Sequence, residues 1–563
     1  MNSDAQQKGL LDTRDLIIMT ILLCLFFTFM LGNRSLSVPD EGRYVEIPRE
    51  MVATGDYLTP RLNGVKYFEK PVLFYWLEAF SIKLFGIHDE YTLRLWPAFF
   101  GLFGCLGVAV AGARLFGRLS GLLAAAVLAT SIFYFGMSRA IILDMPVSIL
   151  ITIALLSFLI GTHEKPGLTR RLYLWGFYAF CALAVLTKGL IGMIIPGMVI
   201  GAWILLLGEW RILKTLYLPT GIALFLLVAA PWHILVNRAN PEFFNFYFIQ
   251  EHFLRYLTKM HSRYQPPWFF IPIVLFGLFP WSAFLIQAIK HNLPSSWQER
   301  HEHRDAVFLM LWAGLVFLFF SASSSKLPPY ILPVFPPLAI VIGRYLAAGW
   351  DRVDFPGFRA GYTIFLAVAL LLGTAFLVFP YYWPDPVEAQ ILGLHRYGFV
   401  LTLVLGGIVT WALAWYRGFR KAFIALTVTS VLFCLLVNAA APLVDVKSVK
   451  DLATTLKTRI KPNEEVASYQ EYYQDLPVYL ERRITVVDWQ GELDFGSSVE
   501  DTRAWMTDGW TFWARWSGPA TMYLLMDIDK YEHLSRNTAF IYTLHPIARN
   551  KRTILLSNHE VKQ

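Results

Sequence analysis

Several stretches of the chain mix residues that do chemistry with residues that enter membranes. The longest reads Pro39-Asp40-Glu41-Gly42-Arg43-Tyr44-Val45-Glu46-Ile47-Pro48-Arg49-Glu50, passes through Gly55-Asp56-Tyr57-Leu58-Thr59-Pro60, and continues Asn63-Gly64-Val65-Lys66-Tyr67-Phe68-Glu69-Lys70-Pro71 before returning to Val72-Leu73-Phe74-Tyr75-Trp76. Carboxylates, cations and tyrosines placed directly after one apolar run and before another describe a pocket at a membrane surface. The alternative is a solvated loop with helix caps and surface ion pairs. Carboxylates in such a place act as general bases or stabilise developing positive charge. Asp144 stands alone in an apolar run, where a lone carboxylate costs ~2.5–3.5 kcal/mol on insertion scales, so it is expected to be functional or paired. Arg139, five residues earlier, is its candidate partner.

Membrane-crossing elements must carry these residues. Of the 563 residues 56% are hydrophobic and only 16% charged, and the mean hydropathy is +0.47. A soluble chain carries nearer 25% charge, so the composition is that of a polytopic membrane protein. Runs long enough to cross a ~30 Å hydrocarbon layer number about thirteen. They lie near 16–32, 94–115, 119–136, 141–161, 173–187, 189–207, 216–236, 267–288, 305–321, 328–349, 359–380, 397–416 and 421–442. The first lacks a small-residue cleavage site and reads as a retained span.

Lys and Arg crowd alternate short loops, for example Arg114 and Arg118, Arg170 and Arg171, Arg211 and Lys214, and Arg417, Arg420 and Lys421. Those loops are expected on the cytoplasmic side. The loops at 33–93 and 237–266 and the tail from 443 then fall on the outer face. The tail has a soluble pattern: a helix-like stretch Lys447–Ile460, strand-like runs at Val466–Tyr469, Ile484–Val487, Met522–Met526, Phe540–Leu544 and Thr553–Leu556, and a helix near Ile528–Ser535. The expected organisation is an all-α transmembrane domain over 1–442 and an outer-face α/β domain over 443–563.

The net charge of +8 follows from the positive-inside bias, and an anionic lipid substrate would add to it. Nothing points to nucleic acid. Cys24, Cys105, Cys181 and Cys434 lie inside apolar runs and read as small core residues. There is no Walker motif, no HExxH and no Rossmann glycine fingerprint, so no nucleotide cofactor is expected. Asp527-Ile528-Asp529 resembles the Asp-x-Asp of nucleotide-sugar enzymes but reads as a helix start.

The segments Asp40-Glu41-Gly42-Arg43-Tyr44, Tyr67-Phe68-Glu69-Lys70-Pro71, Leu143-Asp144-Met145-Pro146, Leu186-Thr187-Lys188-Gly189 and Glu251-His252-Phe253-Leu254-Arg255-Tyr256 together resemble the lipid A 4-amino-4-deoxy-L-arabinose transferases. That family belongs with the protein mannosyltransferases among the polyprenyl-phosphate-dependent membrane glycosyltransferases of GT-C type. The resemblance runs nearly the whole chain. It implies that Asp40 is the essential acidic residue of the first outer loop and Asp144 a second one. Glu41 is easily confused with Asp40, and Asp40 as N-cap of a helix beginning near Gly42 is the structural alternative. The resemblance also implies that Arg43, Tyr67, Lys70 and Tyr330 surround a lipid phosphate, with Lys188, Arg255 and Lys326 as weaker additions. A guanidinium fork, a point charge and tyrosine hydroxyls suit that ligand. Glu69 and His252 match positions that meet at a metal ion, a Zn²⁺ in the usual chemistry, though two residues leave a zinc site short of four ligands.

The expected function is inverting transfer of 4-amino-4-deoxy-L-arabinose from undecaprenyl phosphate to a lipid A phosphate. It would take place at the periplasmic face of a bacterial inner membrane and weaken binding of polymyxin and cationic peptides. Transfer of another sugar, to lipid A or protein Ser/Thr, is the enzymatic rival, and lipid transport the rival of another class. Transporters place ionisable residues near mid-membrane in paired broken spans, whereas the notable charges here crowd one face.

Overall fold

The computed structural model describes residues 10–87, 89–254, 264–352, 355–382, 386–443, 447–537 and 540–560. The chain forms two compact units, one of Met1–Leu31, Leu95–Asn237 and Pro241–Leu443, the other of Gly32–Arg94, Arg238–Asn240 and Val444–Gln563.

The first unit is helical. Among the described residues, eight helices are long and apolar enough to cross a membrane: Leu95–Phe116, Asp144–His163, Leu218–Ala239, Arg304–Ala322, Pro328–Ala348, Phe358–Val378, His395–Tyr416 and Phe419–Leu443. The remaining predicted runs also fall on helices. Thr13–Thr28 has 16 residues, Leu168–Lys188 carries Arg170, Arg171 and Lys188, and Ile191–Leu207 has 17 residues. The run at 119–136 breaks into Arg118–Ala129 and Ile132–Met137. Phe270–Gly277 and Trp281–Asn292 are bent by 101° at a break that includes Pro280, which cannot continue a helix ladder.

Large apolar side chains point outward on these helices, with Leu227 71% and Leu371 69% exposed, as contact with lipid requires. The chain is a multi-pass membrane protein. Inside the unit, small residues let backbones meet: a Cβ on Gly121 would stand 2.2 Å from the Ala109 carbonyl oxygen. Aromatic rings fill the wider gaps, as where Trp203 meets Phe158 and Phe308 edge-on at 5.9 and 5.6 Å.

The second unit unites the first long loop with the tail. The helix Asp40–Thr54 leads to the hairpin β1 (Arg61–Leu62) and β2 (Val65–Lys66), then to the helix Leu73–Phe85. The hairpin turn Asn63-Gly64 has both φ angles positive, 54° and 79°, the backbone of a two-residue turn that favours Asn-Gly. The tail strands are β3 (Glu465–Tyr469), β4 (Thr485–Val487), β5 (Met506–Thr507), β6 (Met522–Asp527), β7 (His545–Arg549) and β8 (Thr553–Ser557). They form one sheet in the order β5-β4-β3-β6-β8-β7. Strands β5, β4, β3 and β6 are parallel, and β8 and β7 are antiparallel. Its core holds Trp513, Trp516, Phe512, Leu524 and Leu556.

Four of the five expected strand runs are strands. The fifth, Phe540–Leu544, is not: Phe540, Tyr542 and Leu544 pack on the core as irregular chain, and the edge strand starts at His545. Apolar content there reflected burial, not pairing. Asp527 caps the helix Ile528–Arg536 by accepting from the Asp529 N–H at 2.9 Å, the expected helix start.

Loop and tail are stitched by side chains that imitate backbone. Asn63 Nδ2 donates to the Ile484 carbonyl and its Oδ1 accepts from the Ile484 N–H, both at 3.0 Å. Arg61 donates to both oxygens of Glu500 at 2.9 and 3.0 Å. Trp505 Nε1 donates to the Asn63 carbonyl at 2.9 Å. Backbones also meet at Gly42, where a Cβ would fall 2.7 Å from the Asp475 nitrogen and 2.7 Å from the Gln474 carbonyl carbon. Backbone cannot yield as a flexible side chain does, so Gly42→Ala is expected to cost ~1–3 kcal/mol, read as a lowered Tm of the purified protein against a Gly314→Ala control, where a Cβ would meet nothing within 4 Å.

Candidate active site

The first turn of Asp40–Thr54 carries the leading candidates. Its N-cap is Pro39, with no side-chain cap, so Asp40 is the first helical residue and not the cap. The Asp40 side chain is 58% exposed, and its nearest cation is Arg43, at 3.8 Å from Nη1. Glu41, its neighbour, is buried and committed. It accepts from Arg34 Nη1 and Nη2 at 2.6 and 2.9 Å, from Arg94 Nε and Nη2 at 3.1 and 2.9 Å, and from the Ser37 N–H at 2.8 Å. Burial alone would raise its pKa, but Arg94 and then Arg34 overcome it and hold the carboxyl well below the ordinary range. Arg94 also donates to the carbonyls of Arg34 and Ser35 at 2.8 and 2.7 Å, fixing the chain that leads into the helix. The two adjacent carboxylates therefore differ in kind: Glu41 is a structural anion and Asp40 an available one.

One helical turn on, Arg43 is partly buried. Its Nε stands 2.6 Å from Oε2 of Glu492, without hydrogen-bond alignment. Its guanidinium lies 5.8 and 5.9 Å from the ring centroids of Tyr44 and Tyr67. The Tyr67 and Tyr75 hydroxyls are buried and have no hydrogen-bond partner among the described residues. Burial pushes both well above the usual phenol range, so they stay neutral donors. Lys70 Nζ donates to the Glu69 carbonyl at 2.8 Å and lies 4.0 Å from its carboxylate. The structure thus gathers Asp40, Arg43, Tyr67, Glu69 and Lys70 within one unit.

Further along the same helix, Glu46 is held by Arg49 at 2.6 and 2.5 Å and shares a hydrogen bond with Glu50, which accepts from the Gly64 N–H. Burial first, then the Glu46 charge, raises Glu50 well above the carboxylate range; burial, partly offset by Arg49, raises Glu46. The folded state therefore holds more protons than the unfolded state over that interval. Stability from this pair is full below the ordinary carboxylate pKa and is lost as pH rises through the raised values. Glu50→Gln, permanently neutral, is expected to flatten the alkaline fall in Tm; an unchanged slope would contradict the assignment.

In the membrane unit, Asp144 opens the helix Asp144–His163. Its partner is Lys188, whose Nζ lies 2.5 Å from Oδ1, and that ammonium sits 4.8 Å from the Tyr330 ring centroid. Arg139, the partner expected from spacing, instead donates to Asn438 Oδ1 at 3.0 Å and to the Phe27 carbonyl at 2.9 Å. The five-residue separation crosses the start of the helix, so the guanidinium turns toward neighbouring helices. Lys326 is buried and donates to the carbonyls of Gln265 and Ser323 at 2.9 and 2.6 Å. The second set is thus Asp144, Lys188 and Tyr330, with Lys326 on the same stretch as Tyr330.

Arg255 lies outside the described residues, as does the side chain of His252. Among the described residues no group of three or more His, Cys, Asp or Glu side chains is placed to hold a metal ion. Sequence reasoning missed Arg34, Arg94, Gln474 and Glu492. The arginines were visible as cations bounding a loop rich in carboxylates, but nothing around Gln490-Gly491-Glu492 signals a role.

Residues 16–247 match the dolichyl-phosphate-mannose-protein mannosyltransferase family, and 452–558 match the aminoarabinose transferase C-terminal domain. The undecaprenyl phosphate-alpha-4-amino-4-deoxy-L-arabinose arabinosyl transferase of Pectobacterium carotovorum subsp. carotovorum (strain PC1) is 30% identical over 549 residues, covering 93% of this chain and 95% of that one. The enzyme of the same name from Enterobacter sp. (strain 638) is 32% identical over 334 residues, 58% of this chain and 59% of the relative. The crystal structure of ArnT from Cupriavidus metallidurans bound to undecaprenyl phosphate superposes with a TM-score of 0.86 at 28% identity, covering 98% of this chain and 99% of that one. With the helical membrane unit and the small C-terminal sheet in place, the chain belongs to the undecaprenyl phosphate-aminoarabinose arabinosyl transferase family of GT-C glycosyltransferases.

Proposed function

We propose that this enzyme transfers 4-amino-4-deoxy-L-arabinose from undecaprenyl phosphate to a phosphate of lipid A, at the periplasmic face of a bacterial inner membrane. The observation that carries the reading is the first turn of Asp40–Thr54. It offers an exposed carboxylate and, three residues on, a guanidinium only 13% exposed whose Nη1 stands 3.8 Å from that carboxylate, beyond hydrogen-bond reach. Arg43, Lys70 and the Tyr67 hydroxyl supply a fork, a point charge and a neutral donor to the donor phosphate.

In the reaction the bond from the sugar anomeric carbon to the carrier phosphate breaks, and a new bond forms from that carbon to an acceptor phosphate oxygen. Undecaprenyl phosphate leaves with the electron pair, and the configuration inverts. Charge moves onto the leaving phosphate, where Arg43 and Lys70 stabilise it. A lipid A phosphate is already ionised at neutral pH, so Asp40 serves to orient the sugar and stabilise positive charge growing at its anomeric carbon. Asp144 orients the Lys188 ammonium, and Lys188, Tyr330, Lys326 and Arg255 are further substrate contacts. Glu69 and His252 are the residues that would hold a divalent ion, which would supply Lewis acidity to the reaction. Metal content of the purified protein, with Glu69→Gln for comparison, tests that part.

Covering a lipid A phosphate with an aminosugar lowers surface negative charge and weakens polymyxin binding. Mass analysis of lipid A from cells with and without the gene product tests the reading. An added aminopentose that depends on the gene supports it, and an unchanged lipid A overturns it.

A further inference from the structure

The C-terminal domain meets the helix bearing Asp40 through Gln474, Asp475 and Glu492, all at one end of its parallel strands. Gln474 and Asp475 follow β3, and Glu492 follows β4, so all three lie beyond the carboxyl ends of adjacent parallel strands. That is where open parallel sheets place the residues that meet ligands. Here they meet another part of the chain, around Gly42 and Arg43.

The contact is a close ion pair without hydrogen-bond alignment. Glu492 Oε2 stands 2.6 Å from Arg43 Nε, and both side chains are only 13% exposed. The other oxygen, Oε1, accepts from Gln474 Nε2 at 2.6 Å. Gln474 in turn sits on the backbone against which Gly42 packs. Asp475, the next residue, is pinned inside the domain, accepting from Ser448 Oγ at 2.7 Å and the Val449 N–H at 2.9 Å. The chain of support therefore runs from the domain interior to a guanidinium.

The corner that Glu492 takes is informative. An arginine presents five N–H donors in a planar fork. A carboxylate engaging both Nη groups would leave little for a phosphate, whereas one placed against Nε holds the charge from one side and leaves the Nη edge open. Nη1 lies 3.8 Å from Asp40 Oδ1, so the open edge is on the side of the available carboxylate.

We propose that the C-terminal domain aims Arg43 at the donor phosphate through Glu492, a positioning residue that Gln474 holds in place. The proposal rests on the reading that Arg43 contacts that phosphate. It gives the domain a part in donor recognition, through a residue that touches no substrate itself.

The test uses full-length protein, undecaprenyl phosphate as the binding probe, and transfer kinetics with the lipid-linked sugar. Glu492→Gln is expected to raise the undecaprenyl phosphate Kd and the donor KM by roughly three- to tenfold, with kcat changing less. Glu492→Asp should recover part of the loss. In an Arg43→Met background, Glu492→Gln should add nothing, because the group it aims is gone. Should Glu492→Gln fail to fold, Gln474→Met, which removes only the amide holding Glu492, carries the same expectation at smaller size. Independent, additive losses in the double variant would overturn the proposal, as would unchanged binding in both Glu492→Gln and Gln474→Met while Arg43→Met weakens it. Normal binding in Arg43→Met would overturn the underlying phosphate reading instead.

Discussion

Asp40→Asn is expected to reduce sugar transfer by roughly a hundredfold to a thousandfold while the protein folds normally and still binds undecaprenyl phosphate. The side chain is more than half exposed, and its nearest cation, Arg43, is 3.8 Å away. Little in the fold therefore depends on its charge. The substitution keeps size and shape and removes only the negative charge that meets the anomeric carbon. Transfer assays on purified protein, with Tm and carrier-lipid binding measured alongside, separate a chemical loss from a folding loss. Full transfer by Asp40→Asn would remove Asp40 from the mechanism.

The neighbouring substitution should do the opposite. Glu41→Gln leaves two guanidinium groups without their counter-charge, and Arg94 is fully buried. Removing one partner of a buried ion cluster costs ~3–5 kcal/mol, because the remaining charge stays desolvated. A large drop in Tm is expected, and lost transfer would follow from lost structure. The pH dependence has a definite sign. The Glu41 pKa is lowered in the folded state, so its stabilisation is present above the ordinary carboxylate range and drains away as pH falls below it. Glu41→Gln should therefore lose its stability deficit relative to wild type in acid. A normal Tm at neutral pH would show that Arg34 and Arg94 are neutralised by other groups.

Much of this was legible in the residues. Apolar run length located the helices of the membrane unit, because a span must satisfy its backbone internally over a fixed thickness. Short apolar runs located four tail strands, which are buried almost continuously; Phe540–Leu544 misled because an aromatic cluster packing on a core looks like a strand in composition. The motif stretch around Asp40 and Arg43 was visible, but the choice between Asp40 and Glu41 was not. It depends on Arg94, which lies 53 residues from Glu41 in sequence. The Asp144 partner was missed for a related reason: nearness in sequence favoured Arg139, whereas helix packing delivers Lys188. Gly42 was read only as near a helix start, and the reason for a glycine there, a backbone 2.7 Å from where a Cβ would be, comes from the tail. Asn63-Gly64 was a hairpin signal in plain view, and β1 and β2 flank it.

The most direct test of the account is transfer by purified protein in lipid vesicles containing undecaprenyl phosphate-linked 4-amino-4-deoxy-L-arabinose and lipid A, read by mass spectrometry of both lipids. The account predicts lipid A gaining one aminopentose on a phosphate, free undecaprenyl phosphate appearing in equal amount, and neither change with Asp40→Asn. Lipid A left unmodified by well-folded protein while the donor remains intact, or is discharged onto another acceptor, would contradict it.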